Sequence, residues 1–132
     1  MPEGLDPSEE IIRLDFTSVS DRHVGAIHSR FSVRHAHALY IRAGVATRLL
    51  RLKRKHRLDL AKYRVRNELK FKTLKALEED FSLGPGRKLE ASIMSLEIKA
   101  TMMDSIIEGF MDIVKAASRE MSRRDSERSS RD

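Results

Sequence analysis

Ten apolar residues near the C-terminus, Leu89, Ile93, Leu96, Ala100, Met103, Ile107, Phe110, Val114, Ala117 and Met121, alternate steps of four and three without a miss. That is the 3.5-residue period of a coiled-coil seam, which a strand with its period of 2 cannot present on one face. The spacing predicts a long helix over 87–121. Prolines stand only at positions 2, 7 and 85, so a second long helix is free to run between Pro7 and Pro85. Its apolar stripe is Val24, Ile27, Phe31, Ala38, Ile41, Val45, Leu49 and Leu52, and it predicts a helix over 18–66. Gly44 weakens such a helix by about 1 kcal/mol against Ala without ending it.

Shorter elements fill the rest. Asp6 followed by Pro7 reads as a helix start, so "SEEIIRL" predicts a short acidic helix within a segment spanning 1–17. Between the long helices lies a connector, 67–86. There "VRNELKF" alternates and predicts a brief extended stretch, Thr73 is placed to cap a short helix "LKALEED", and "SLGPG" is a turn. The tail 122–132 is polar and alternating in charge, and is expected to be disordered. The fold class is all-α: two long helices as an antiparallel hairpin forming a single domain over 18–121, with a short N-terminal helix and a short connecting element.

A pair of helices of roughly 40 residues, each about 60 Å long, has no third layer to cover its apolar faces. A second stripe, Ile98, Met102, Ile106 and Ile113, runs beside the C-terminal seam. Homo-oligomerisation is therefore expected, with Leu89, Ile93, Leu96, Met103, Ile107, Phe110 and Val114 building the interface.

The charge is distributed unevenly. The net charge is +6, yet residues 22–58 hold ten Lys/Arg and no Asp/Glu, while residues 1–21 hold one basic and six acidic side chains. All five histidines also fall in 22–58. At about 100° per residue with Arg48 at zero, the core stripe falls between about 20° and 100°. On the same wheel Lys55, Arg51, Arg54 and Arg57 fall at about 340°, 300°, 240° and 180°, across the opposite side. An ordinary solvated helix interleaves Glu with Lys to gain attractive pairs; this one does not. An anion-binding surface made of Arg48, Arg51, Lys53, Arg54, Lys55 and Arg57 is the expectation, with nucleic acid favoured over a membrane because the apolar stripe is committed to the core. Tyr40, near 280°, is a candidate for base stacking.

Other chemistries find little support. No cysteine is present, which excludes disulfides and thiolate metal sites. His28 and His35 share a face but lie about 10 Å apart, too far for one ion, and no cofactor or metal is expected. "GPGRK" lacks the spacing of a P-loop, and no catalytic constellation stands out, so an enzyme is not expected. The methionines Met94, Met102, Met103, Met111 and Met121 follow helical spacing and read as core filler. No apolar run approaches 18 residues, and "MPEGLDPSEE" lacks a basic-then-apolar leader; a cytoplasmic location is expected, the host's if the chain is phage-encoded.

With these residues in view, the chain resembles the phage recombination mediators of the UvsY type. "RKHRLD", residues 54–59, is similar to a Leu-Lys-Ala-Arg-Leu-Asp stretch of that family whose Lys and Arg are associated with single-stranded DNA. The resemblance gives Lys55 and Arg57 the DNA-contacting role with Leu58 as apolar neighbour; Arg54 stands where the family has Leu, and His56 where it has Ala. The order of segments, from acidic helix through basic helix and capped connector to the C-terminal helix, is similar too. The resemblance implies a ring-like homo-oligomer of roughly six to seven subunits, built through the C-terminal helix. It implies binding to single-stranded DNA and loading of a RecA-like recombinase onto strands coated with single-strand-binding protein. Two other readings stay open: a coiled-coil structural or adaptor protein, such as a phage assembly component, and a general RNA- or duplex-DNA-binding protein.

Overall fold

The structure, a computed structural model, describes Phe16 and residues 19–131. These form three helices: α1 (Asp21–Asn67), α2 (Leu74–Leu83) and α3 (Arg87–Arg131). Among the described residues there is no strand. The short acidic helix expected before residue 16 lies outside them.

Ser20 starts α1. Its hydroxyl accepts from the backbone N–H of His23 at 3.2 Å, its carbonyl accepts from Val24 at 3.0 Å, and Asp21 sits at the positive end of the helix dipole. The helix carries into the stretch expected to be extended, where Val65 is helical. It ends at Asn67, whose side-chain amide donates to the Tyr63 carbonyl at 2.9 Å, and residues 68–70 follow as a turn, with Lys70 N–H donating to the Asn67 carbonyl at 3.0 Å. The alternation there has no partner strand to hydrogen-bond, so helix followed by a turn is the better way to satisfy the backbone. Thr73 caps α2 as expected, its hydroxyl accepting from Ala76 N–H at 3.1 Å. Gly84 and Gly86 close α2 by donating to carbonyls in its last turn. Gly86 is required: a Cβ there would overlap the Phe81 ring.

The tail expected to be disordered is helical through Arg131. Its alternating charges pair along the helix, Arg123 with Glu120 at 2.6 Å and with Glu127 at 2.5 Å. Arg124 also reaches the start of α1, donating to the carbonyls of Phe16 and Val19, each at 2.6 Å, and to Asp21 at 2.7 Å. Charge alternation at i,i+3 and i,i+4 thus supports helix here rather than opposing it.

The chain divides into two compact units, Met1–Arg42 with Met102–Asp132, and Ala43–Thr101. In the first, the α1 and α3 segments run antiparallel, with Asp21 paired to Arg124 and Arg42 to Asp104. Ile27, Phe31 and Ile113 form the buried cluster, with Phe16, Phe110 and Val114 packed on it. Full burial of side chains such as Phe31 and Ile113 contributes about 1.5–3 kcal/mol each. The Phe31 and Phe110 rings lie 5.9 Å apart, tilted by 48°.

In the second unit, α1 and α3 segments again run antiparallel, as Lys53–Glu97 and His56–Glu90 show. Buried Leu77 and Phe81 lie on α2. Phe81 meets His56 edge-on at 5.5 Å and Tyr63 at 5.4 Å. Of the predicted α1 stripe, Val24, Ile27, Phe31, Ala38 and Val45 are buried, Leu49 and Leu52 are half-buried, and Ile41 is exposed.

The seven residues assigned to an oligomer interface are each half-buried within the single chain. Phe110 and Val114 pack on the first unit's own core. The second stripe is divided: Ile113 is 0% exposed, whereas Ile98 is 57% exposed and Met102 is exposed with it. The steps of this stripe are four, four and seven, longer on average than the 3.6 residues of a helical turn, so from Ile98 to Ile113 it drifts by about 60° around the axis, which sets its two ends on different faces.

Candidate nucleic-acid interface

The acid-free run of α1 places Arg48, Arg51, Arg54, Lys55 and Arg57 on the surface of the second unit, all exposed. None of the five pairs with a carboxylate among the described residues. Four of their spacings, 48–51, 51–54, 51–55 and 54–57, set like charges one turn apart. At about 0.2–0.5 kcal/mol each, that arrangement costs the free protein on the order of 1–2 kcal/mol, which an anion bound across the face would offset.

The sixth predicted cation differs. Lys53 Nζ lies 3.2 Å from Glu97, half-exposed on both sides, so it is partly neutralised by α3. His56, which the motif comparison sets between the two DNA-contacting residues, turns away from them. It is half-buried against Phe81, with Nε2 3.8 Å from Glu90 Oε1, an oxygen that also accepts from the Ser82 hydroxyl at 2.9 Å. Leu58 is exposed. Beside this face runs a groove of about 660 Å³ whose lining includes Leu50, Lys53, Arg57, Met94 and Glu97. Its apolar residues and mixed charges suit it less to a polyanion than the open face.

Tyr40 belongs to the first unit. It is 78% exposed. Two residues there that sequence reasoning passed over are Arg30 and Arg34, exposed, with guanidinium carbons 5.0 and 4.8 Å from the centroid of the buried Phe31 ring. The available signal was an aromatic core residue followed three positions later, and preceded by one, by arginines in an acid-free segment.

Elsewhere charge is used for packing. Arg42 Nε donates to Asp104 at 2.8 Å; that hydrogen bond raises the guanidinium pKa and holds the carboxyl of Asp104 below its usual range. Glu120, buried, is pulled down to about 2 by hydrogen bonds first from Arg123 and then from Arg124. The Tyr63 phenol donates to Asp80, which pushes its pKa up. Among the described residues no three His, Asp or Glu come together to hold a metal ion, and no helix is long and apolar enough to cross a membrane.

What this arrangement can do chemically is bind anions. The exposed face holds donors and positive charge but no nucleophile beside a base. No family model, curated protein or solved structure matches the chain.

Proposed function

We propose that the chain belongs to the class of non-enzymatic, all-α proteins that bind a polyanion through one helix face. The ligand is the phosphodiester backbone of nucleic acid, because guanidinium groups spaced by single turns suit a chain of phosphates and lack base-reading partners. More particularly, the protein is a recombination mediator. It binds single-stranded DNA and helps load a RecA-like recombinase onto strands coated with single-strand-binding protein. The single observation carrying the reading is the exposed set Arg48, Arg51, Arg54, Lys55 and Arg57, unpaired among the described residues. The likeness of "RKHRLD" to the UvsY-type motif supports the narrower step.

Self-association multiplies the modest grip of one such face, since neighbouring copies bind the same strand at high effective concentration. With the C-terminal seam half-buried inside the chain, a second copy would cover exposed apolar residues of the second unit, among which are Met94 and Ile98 on α3 and Leu50 on α1.

A salt titration of binding to a single-stranded oligonucleotide tests the first step. Five phosphate contacts give a slope of log K against log[salt] of about −3.5, and removing two by Lys55→Ala with Arg57→Ala makes it shallower by about 1.4. Absence of binding at low salt leaves the adaptor reading, for which the exposed apolar residues speak. Equal or tighter binding to duplex refutes the strand preference. Recombinase filament assembly on protein-coated strands, with and without the protein, tests the second step; no acceleration refutes it.

A further inference from the structure

We infer that the first unit carries its own strand-binding subsite, in which Arg30 and Arg34 hold a phosphate and Tyr40 stacks on an adjoining base. This rests on the nucleic-acid reading above, but on different residues and a different unit.

Phe31 is fully buried, and its ring lies within 5.0 Å of both guanidinium carbons. The two arginines stand four residues apart, on one side of α1, with no carboxylate paired to either among the described residues. Two like charges brought to one ring repel each other. The ring's negative face offsets part of that repulsion, and an anion shared between them would remove it. The contact also restricts side chains that would otherwise sample many rotamers, so less freedom is lost when an anion binds. Arg48 to Arg57 have no such support, so Arg30 and Arg34 form the more preorganised of the two sets. A guanidinium lying on a ring still points N–H groups outward, in the fork that matches phosphate oxygens.

The aromatic partner is at hand. At about 100° per residue, His37 falls about 20° and Tyr40 about 80° from Arg30, with Val33 between them. Tyr40 and Val33 are both exposed. Tyr40 stands six residues beyond Arg34, about 9 Å further along α1 and about 120° round its axis. A basic clamp with an exposed ring further along the same helix can grip an unpaired strand, since phosphate contacts position it and any base can stack. A duplex keeps its bases inside the stack and offers Tyr40 nothing comparable.

The test compares three double variants of the full chain in salt titrations with labelled oligothymidylate: Arg30→Gln with Arg34→Gln, Arg30→Lys with Arg34→Lys, and Lys55→Ala with Arg57→Ala. The glutamine pair is expected to make the slope shallower by about 1.4, the amount for two phosphate contacts. The lysine pair keeps the slope but binds several-fold more weakly at every salt concentration, because the fork and its ring support are lost. It supplies the readout if the glutamine pair loses helicity by circular dichroism. An unchanged slope in a folded glutamine pair, or unchanged affinity in the lysine pair, overturns the clamp. For stacking, Tyr63→Phe leaves Tyr40 as the sole tyrosine; its emission is expected to be quenched by the oligonucleotide, and unaltered emission overturns that part. Should only the Lys55/Arg57 pair change the slope, this inference fails alone. Should the wild-type chain not bind, both fall.

Discussion

Ile98 and Ile113 stand on one predicted stripe, and replacing each by Ala separates the core from the uncovered surface. Ile113 is 0% exposed and sits with Ile27 and Phe31. Truncation to Ala removes three carbons, worth about 0.8 kcal/mol each in transfer, or about 2.4 kcal/mol. The cavity left beside the Phe31 ring adds to that, giving an expected loss of about 2–5 kcal/mol. Ile98 is 57% exposed, so less than half its transfer energy is at stake within one chain, about 1 kcal/mol, with no closed cavity. Urea unfolding followed by circular dichroism measures both. With a slope near 2 kcal/mol per molar, Ile113→Ala lowers the midpoint by about 1–2.5 M and Ile98→Ala by about 0.5 M or less. Protein concentration is the second variable. If Ile98 is covered only by another copy, its effect grows where the wild type is assembled and fades on dilution, whereas the effect of Ile113 does not. Equal losses at all concentrations would refute the division of the stripe.

Two further predictions concern charge. Glu120 has its carboxyl held near about 2 in the folded chain against 4.5 as its ordinary value; a depressed carboxylate stabilises the fold above its unfolded pKa and loses that contribution as pH falls through its folded one. Acid unfolding between about 4.5 and 2 should therefore be less steep in Glu120→Gln, measured by ellipticity against pH, and an identical acid limb would contradict the pairing. Glu97→Gln releases Lys53 from its partner and should steepen the salt dependence of strand binding by about 0.7, one extra phosphate; an unchanged slope means that Lys53 does not reach the strand.

Much of the helical content was readable because period and proline placement are local signals. The seam over 87–121 and the stripe from Val24 to Leu52 needed no tertiary knowledge, and neither did the Thr73 cap. Three features depended on contacts that a single helix pattern does not encode. The tail reads as disordered until Arg124 is seen to meet the carbonyls of Phe16 and Val19 across the chain. "VRNELKF" reads as extended until one asks which strand would pair with it. The expected oligomer seam is half-buried because α1 presents a matching stripe to it, and a periodicity cannot say which partner covers it. For the site, exposure of the basic run was legible from the wheel. Which cations are neutralised was not, although a clue lay in the sequence: Glu90, Glu97 and Asp104 recur every seven residues beside the seam, the register of flanking interhelical pairs.

That acidic row sorts the cations of α1 by purpose. Its three carboxylates meet His56, Lys53 and Arg42, the side chains that flank the packed stripe closely enough to be reached from α3. Exposed pairs of this kind contribute little to stability, about 0–1 kcal/mol each, but they fix register between antiparallel segments. Arg48, Arg51, Arg54, Lys55 and Arg57 lie beyond that reach, and solubility alone does not account for them, since interleaved glutamates would serve it without the repulsion. Substituting glutamate at Arg51 and Arg54 should therefore stabilise the free protein, by removing like-charge neighbours, while abolishing strand binding. A chain stabilised by losing its charges, yet inactive without them, is the pattern expected where local stability has been given up for a ligand. If the substituted protein instead melts earlier than the wild type, the basic face is part of the fold, and the case for a phosphate backbone across it is lost.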